Sequence, residues 1–194
     1  MKHFKALAAG AVLAASLVGA SSASAATWDP QNTFVTGTSV GNTIFEDSNG
    51  NMVSCAAGDV RVHASGDRAV ATGPDNPISW SSCTNSSLGG STTLTTTGTW
   101  TFTATSQTNV DITALPGLGG AVADLSFSAL PGCSIKMTGP VNIPNNTWSN
   151  ATHRLTLNPT ATLELDQSAT CLGLFGTTGK FTSTFSFPAN MTIT

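Results

Sequence analysis

Hydrophobic and polar residues alternate at period two through most of this chain. TWTFTAT puts Trp100, Phe102 and Ala104 on one face and threonines on the other, and AVADLSFSAL sets Ala121, Ala123, Leu125, Phe127 and Ala129 opposite Val122, Asp124, Ser126 and Ser128. Such alternation marks a strand with one face buried. ATLELD repeats it, with Leu163 and Leu165 inward and Glu164 and Asp166 outward. KFTSTFSF does the same and aligns Phe181, Ser183, Phe185 and Phe187, which predicts a final strand that fills the core. Shorter strands are predicted at residues 33–40, 60–63, 78–81, 134–138 and 155–157. Turn-forming clusters punctuate them: SNGN at 48–51, SGD at 65–67, GPDNP at 73–77, LPGLGG at 115–120 and IPNN at 143–146. Beyond residue 25 no segment carries a capped helical stripe. The pattern predicts an all-β domain, either an antiparallel β-sandwich or a small β-barrel.

The first residues do not belong to that domain. Lys2, His3 and Lys5 precede an apolar run from Ala6 to Ala20, and small residues follow up to Ala23-Ser24-Ala25. This is the layout of a secretory signal peptide at 1–25, leaving a single β-rich secreted domain at 26–194. The apolar run is too short for a membrane span, so no transmembrane helix is expected and the mature protein is read as extracellular or associated with the cell envelope. Without the leader, Arg61, Arg68, Lys136, Arg154 and Lys180 face ten acids. No basic cluster interleaved with aromatics tracks a phosphate backbone, which argues against a nucleic-acid partner.

Export changes the meaning of the cysteines. Cys55, Cys83, Cys133 and Cys171 are even in number, widely spaced and without a Cys-x-x-Cys pair. Neither zinc-finger nor thioredoxin-like spacing is present, so two structural disulfides are expected, with no metal and no cofactor. Of three possible pairings, Cys55 with Cys83 and Cys133 with Cys171 closes the most local loops. By loop entropy each would contribute about 3–4 kcal/mol.

SWSSCTN at 79–85, PGCSIKMTG at 131–139, CLGLFG at 171–176 and the closing GKFTSTFSFPANMTIT resemble a group of small secreted actinobacterial proteins with two cysteine pairs. The resemblance implies an exported, disulfide-bonded, β-rich protein. It implies no activity and no catalytic residue.

Candidate chemistry is sparse. GTSVG at 37–41 has the Gly-x-Ser-x-Gly form that would make Ser39 a nucleophile with His63 or His153 as base, but no helix follows, as a nucleophile elbow requires. Glu46-Asp47 and Glu164 with Asp166 are the paired carboxylates a glycosidase would need, yet one pair precedes a turn and the other lies on a solvent face. No catalytic residue is assigned. Trp28 and Trp148 have polar or turn-like neighbours and, with His63, are the candidate ligand-binding residues, since exposed aromatics stack on sugars or fill a partner's pocket; the alternative for the two tryptophans is that they cap the sheet ends. The expected function is a secreted, non-catalytic domain binding a glycan, lipid or protein. A small ester or glycan hydrolase and an envelope assembly or barrel subunit are the alternatives.

Overall fold

The computed structural model describes residues 25–72, 77–117 and 119–194. The predicted leader, most of the predicted turn at 73–77 and residue 118 lie outside the described residues.

Seventeen short strands form, in chain order β1 (Trp28–Asp29), β2 (Thr33–Ser39), β3 (Thr43–Asp47), β4 (Met52–Ser65), β5 (Arg68–Thr72), β6 (Ile78–Asn85), β7 (Ser91–Thr96), β8 (Thr99–Ala104), β9 (Asn109–Leu115), β10 (Ala121–Phe127), β11 (Ser134–Thr138), β12 (Val141–Ser149), β13 (Arg154–Thr156), β14 (Leu163–Gln167), β15 (Thr178–Thr182), β16 (Thr184–Ser186) and β17 (Thr192–Ile193). All but β1 and β17 join one sheet, and they do so in pairs. β2 and β3 run end to end along β4, as do β5 and β6 along its other edge. β7 with β8, β9 with β10, β11 with β12, β13 with β14 and β15 with β16 continue the pattern, each pair forming one long stave broken near its middle. The last stave returns to the first, Phe181 facing Phe45 and Phe185 facing Ser39. The result is a closed eight-stranded antiparallel up-and-down barrel, with β1 and β17 forming a separate two-stranded ribbon.

Alternation explains which face turned inward. Val60, Val62 and Ala64 of β4, Trp100, Phe102 and Ala104 of β8, and Leu163 and Leu165 of β14 are all buried. Closure leaves no free sheet edge, which is how such a barrel avoids edge-to-edge aggregation. Three large rings lie flat over glycine on the neighbouring stave, where no side chain would fit. A Cβ on Gly37 would come within 2.6 Å of the Phe187 ring, Trp80 covers Gly58 in the same way, and a third ring, Phe45, covers Gly179 at 2.7 Å.

Three expectations need correction. IPNN is not a turn between strands but a bulge within β12, where the register slips between Ile143 and Asn146. Asn145 takes a left-handed φ of 59°, which asparagine tolerates, and buried Asn146 donates to the carbonyls of Val110 and Ile143 and accepts from the Asn158 N–H. Alternation in β10 fails at its start, because a bulge between Ala121 and Ala123 turns Val122 inward as well as Ala123. Ala129 lies in the exposed turn that follows.

The disulfides are Cys55–Cys83 and Cys133–Cys171, with no free cysteine. The first joins directly opposed residues of β4 and β6, Cα atoms 3.9 Å apart; the second ties the end of β14's loop to the start of β11. Phe185, 1% exposed, packs inside the barrel next to Trp80 with ring centroids 5.6 Å apart. Phe185→Ala should therefore cost about 3–5 kcal/mol in denaturant unfolding. A loss under about 1 kcal/mol would mean that the last stave does not close the core.

Candidate functional site

Up-and-down order fixes which loops meet. The connections at 48–51, 86–90, 128–133 and 168–177 emerge at one end, here called distal; both termini and the connections at 66–67, 105–108 and 150–153 lie at the other. Each end is stoppered, and by different chemistry.

Trp28 and Trp148 form the stopper of the terminal end, each 1% exposed, which is the sheet-capping alternative to ligand binding. Their rings meet edge to face at 5.0 Å, and Trp148 also contacts Phe187. Both indole N–H groups are spent internally: Trp28 donates to the Phe102 carbonyl and Trp148 to Asn150 Oδ1. Asn150 also bonds both backbone groups of Ile193, so the β1–β17 ribbon is sewn over the two rings. Neither ring offers a face to a ligand. Their polar neighbours in sequence are the partners of the buried N–H groups, not a sign of exposure.

At mid-height the interior holds a cavity of about 20 Å³ lined by Trp80, Trp100, Phe102, Phe181, Phe185 and other side chains. An apolar molecule as small as benzene takes a cavity of roughly 150 Å³, and 20 Å³ is about one water. This cavity has no room for such a molecule.

The nucleophile and carboxylate candidates do not assemble. Ser39 Oγ is buried without a hydrogen-bond partner, so no base is in contact with it, while His153 Nδ1 lies 3.0 Å from the Met191 carbonyl. Glu46 points outward to Lys180 at 3.8 Å, whereas Asp47 turns inward. Across the outer wall Asp124, Lys136 and Asp166 stand opposite one another on β10, β11 and β14. Burial raises the Asp124 carboxyl above its ordinary value, and Lys136 draws it partly back.

His63 has a setting of its own. It continues into β4 rather than ending a strand, and its half-buried ring lies 4.9 Å from that of Phe34 on β2. Phe34 is 61% exposed, and the Arg61 guanidinium sits 4.4 Å from its centroid. With Val70, Thr72 and Pro77 these three line an open surface concavity of about 590 Å³. Sequence reading found His63 but missed Phe34 and Arg61. The available signal was that Phe34 shares the outward phase of Thr36 and Thr38, where an aromatic is out of place.

The distal end was missed altogether. Its four loops, SNGN, SSLGG, SALPGC and SATCLGLFGT, contain no charged residue, whereas Asp29, Asp67, Arg68 and Arg154 crowd the opposite end. From it project Leu172, 80% exposed, and Leu174, 46% exposed. Their loop is held from three sides. Cys171 is bonded to Cys133, Phe175 stacks on Phe127 at 4.8 Å, and the Leu174 carbonyl accepts from the side chains of Asn49 and Asn51. Asp47 organises the seam, accepting the N–H groups of Asn49, Asn51 and Gly176 and the Asn51 amide. Leu172 itself is left-handed at φ 54°, a conformation that costs a branched side chain energy and is held by its surroundings.

Two outcomes are expected. Asp47→Ala orphans four donors and should cost about 2–4 kcal/mol, with faster hydrogen exchange at 171–176; unchanged exchange there would refute the seam. For Asp124, the fold favours the protonated form, so its contribution is present at low pH and is lost as pH rises through the raised value. Asp124→Asn should be at least as stable as the native protein near neutral pH, with the difference shrinking on acidification below the carboxylate range; a clear loss at neutral pH in thermal melts would contradict this.

The whole arrangement can be compared with known proteins. A family model described as alkane oxidation protein activator PraA/PraB-like matches residues 1–188. No curated protein and no solved structure matches the chain. With nearly its full length matched, the chain belongs to the PraA/PraB-like family of alkane oxidation protein activators.

Proposed function

We propose that the protein is an exported, non-catalytic accessory of hydrocarbon oxidation that seats its distal end on a liquid-hydrocarbon surface. The observation that carries this reading is the set of four loops without a charged residue from which Leu172 and Leu174 project. A charge brought against an apolar phase loses its hydration at high cost, so four neutral loops let this end approach one closely. Burying two leucines is worth roughly 3–6 kcal/mol, enough for reversible adsorption and too little for permanent anchoring. The distal loops contain no Lys, Arg or His to grip a phosphate headgroup, which favours bare hydrocarbon over a phospholipid surface. Of the partner classes expected from sequence, this is the lipid-like one. Two disulfides and the absence, among the described residues, of a helix long and apolar enough to cross a membrane agree with a place outside the cytoplasm. A lipid-spanning barrel needs an outward apolar band; here the outward positions include Thr36, Thr38, Asp124, Lys136, Glu164 and Asp166.

Purified protein should be depleted from solution by hexadecane droplets and should stimulate hexadecane oxidation by cells. Changing Leu172 and Leu174 together to serine should weaken adsorption by roughly two orders of magnitude, with the thermal midpoint unchanged. Equal adsorption of the folded double variant would overturn the reading.

A further inference from the structure

The concavity around Arg61 lies near the terminal end of the barrel, a stave's length from the leucines, and its chemistry is different. We propose that it is a binding site for the carboxylate of a medium- or long-chain acyl group. Arg61 and His63 project from neighbouring outward positions of β4 and form the polar base; Phe34 on one side and Val70 and Pro77 on the other supply apolar walls. About 590 Å³ falls within the range of ligand sites that hold small organic molecules.

Charge picks the ligand. The protein carries a net negative charge, and among the described residues Arg68 is paired with Asp67 and Lys180 with Glu46, whereas Arg61, Lys136 and Arg154 make no ion pair. Among the described residues Arg61 makes no ion pair and no hydrogen bond. The contact with Phe34, 4.4 Å from the guanidinium carbon to the ring centroid, uses none of its N–H groups and leaves the fork that matches a carboxylate bidentately. An exposed ring beside an unpaired guanidinium suits an anion with an apolar stem better than a simple inorganic anion, which would leave Phe34 bare, or a neutral chain, which would leave Arg61 unmatched. Asp59, the nearest carboxylate along β4, stands one outward position further on, opposite Thr38 and Ser79, and does not line the concavity.

Calorimetric titration of the full mature protein with decanoate below its micellar concentration, paired with NMR of the His63 ring, tests the assignment. The expected result is saturable one-to-one binding with a shift of the His63 signals. Affinity should fall at least tenfold in Arg61→Gln and in Phe34→Ala, and should be unchanged in the Leu172/Leu174 double-serine variant. That last comparison separates this site from adsorption through the distal end. Equal binding of decyltrimethylammonium, equal binding of glucuronate or acetate, binding insensitive to Arg61→Gln, or no saturable binding would each overturn it.

Discussion

Everything in this molecule follows from the last stave finding the first. Once β15 and β16 bond to β3 and β2, every backbone edge of the main sheet is paired, and the inward half of each alternating strand has only one place to go. The interior then has to be filled, because a barrel this size encloses just enough space for side chains. Trp80, Trp100, Phe102, Phe181 and Phe185 fill it from several staves and leave a cavity the size of one water. A closed, filled barrel has no lumen to load, so whatever it does is done by its outer wall and its ends.

The two ends show how differently the same problem is solved. At the terminal end two buried tryptophans, each with its N–H satisfied, are covered by a ribbon made from the first and last residues of the described chain. At the distal end a disulfide, a phenylalanine stack and one buried carboxylate hold a loop rigid. There the leucines could have been folded inward, as Phe175 is, yet the loop holds them in solvent. The function proposed above rests on that arrangement, a rigid apolar tip on an otherwise polar barrel.

Sequence made the barrel legible where side-chain period matched backbone period. Trp100, Phe102, Leu163 and Leu165 lie inside as their spacing requires, and the local disulfide loops are the ones formed. It misled where one residue was added to a strand: the bulge at Val122 shifts the phase without any mark in composition, and the one at Asn145 has the composition of a turn. It left Trp28 and Trp148 open between binding a ligand and capping the sheet ends. Polar neighbours suggested exposure, but whether an asparagine such as Asn150 meets water or an indole N–H depends on contacts over 40 residues away. The distal end was invisible for a related reason. Its neutrality belongs to four loops jointly, separated by tens of residues, and only the up-and-down order gathers them. Phe34 was legible in principle, as an aromatic in the phase of threonines.

Hydrogen exchange measured with and without hexadecane droplets would distinguish action through the ends from action through the interior. Adsorption by the distal end should slow exchange in the loops at 86–90, 128–133 and 168–177 and leave the barrel wall as it was. Altered exchange at mid-height, around residues 139–143 and 157–163, with the distal loops unchanged, would mean that hydrocarbon enters the barrel and would contradict the account.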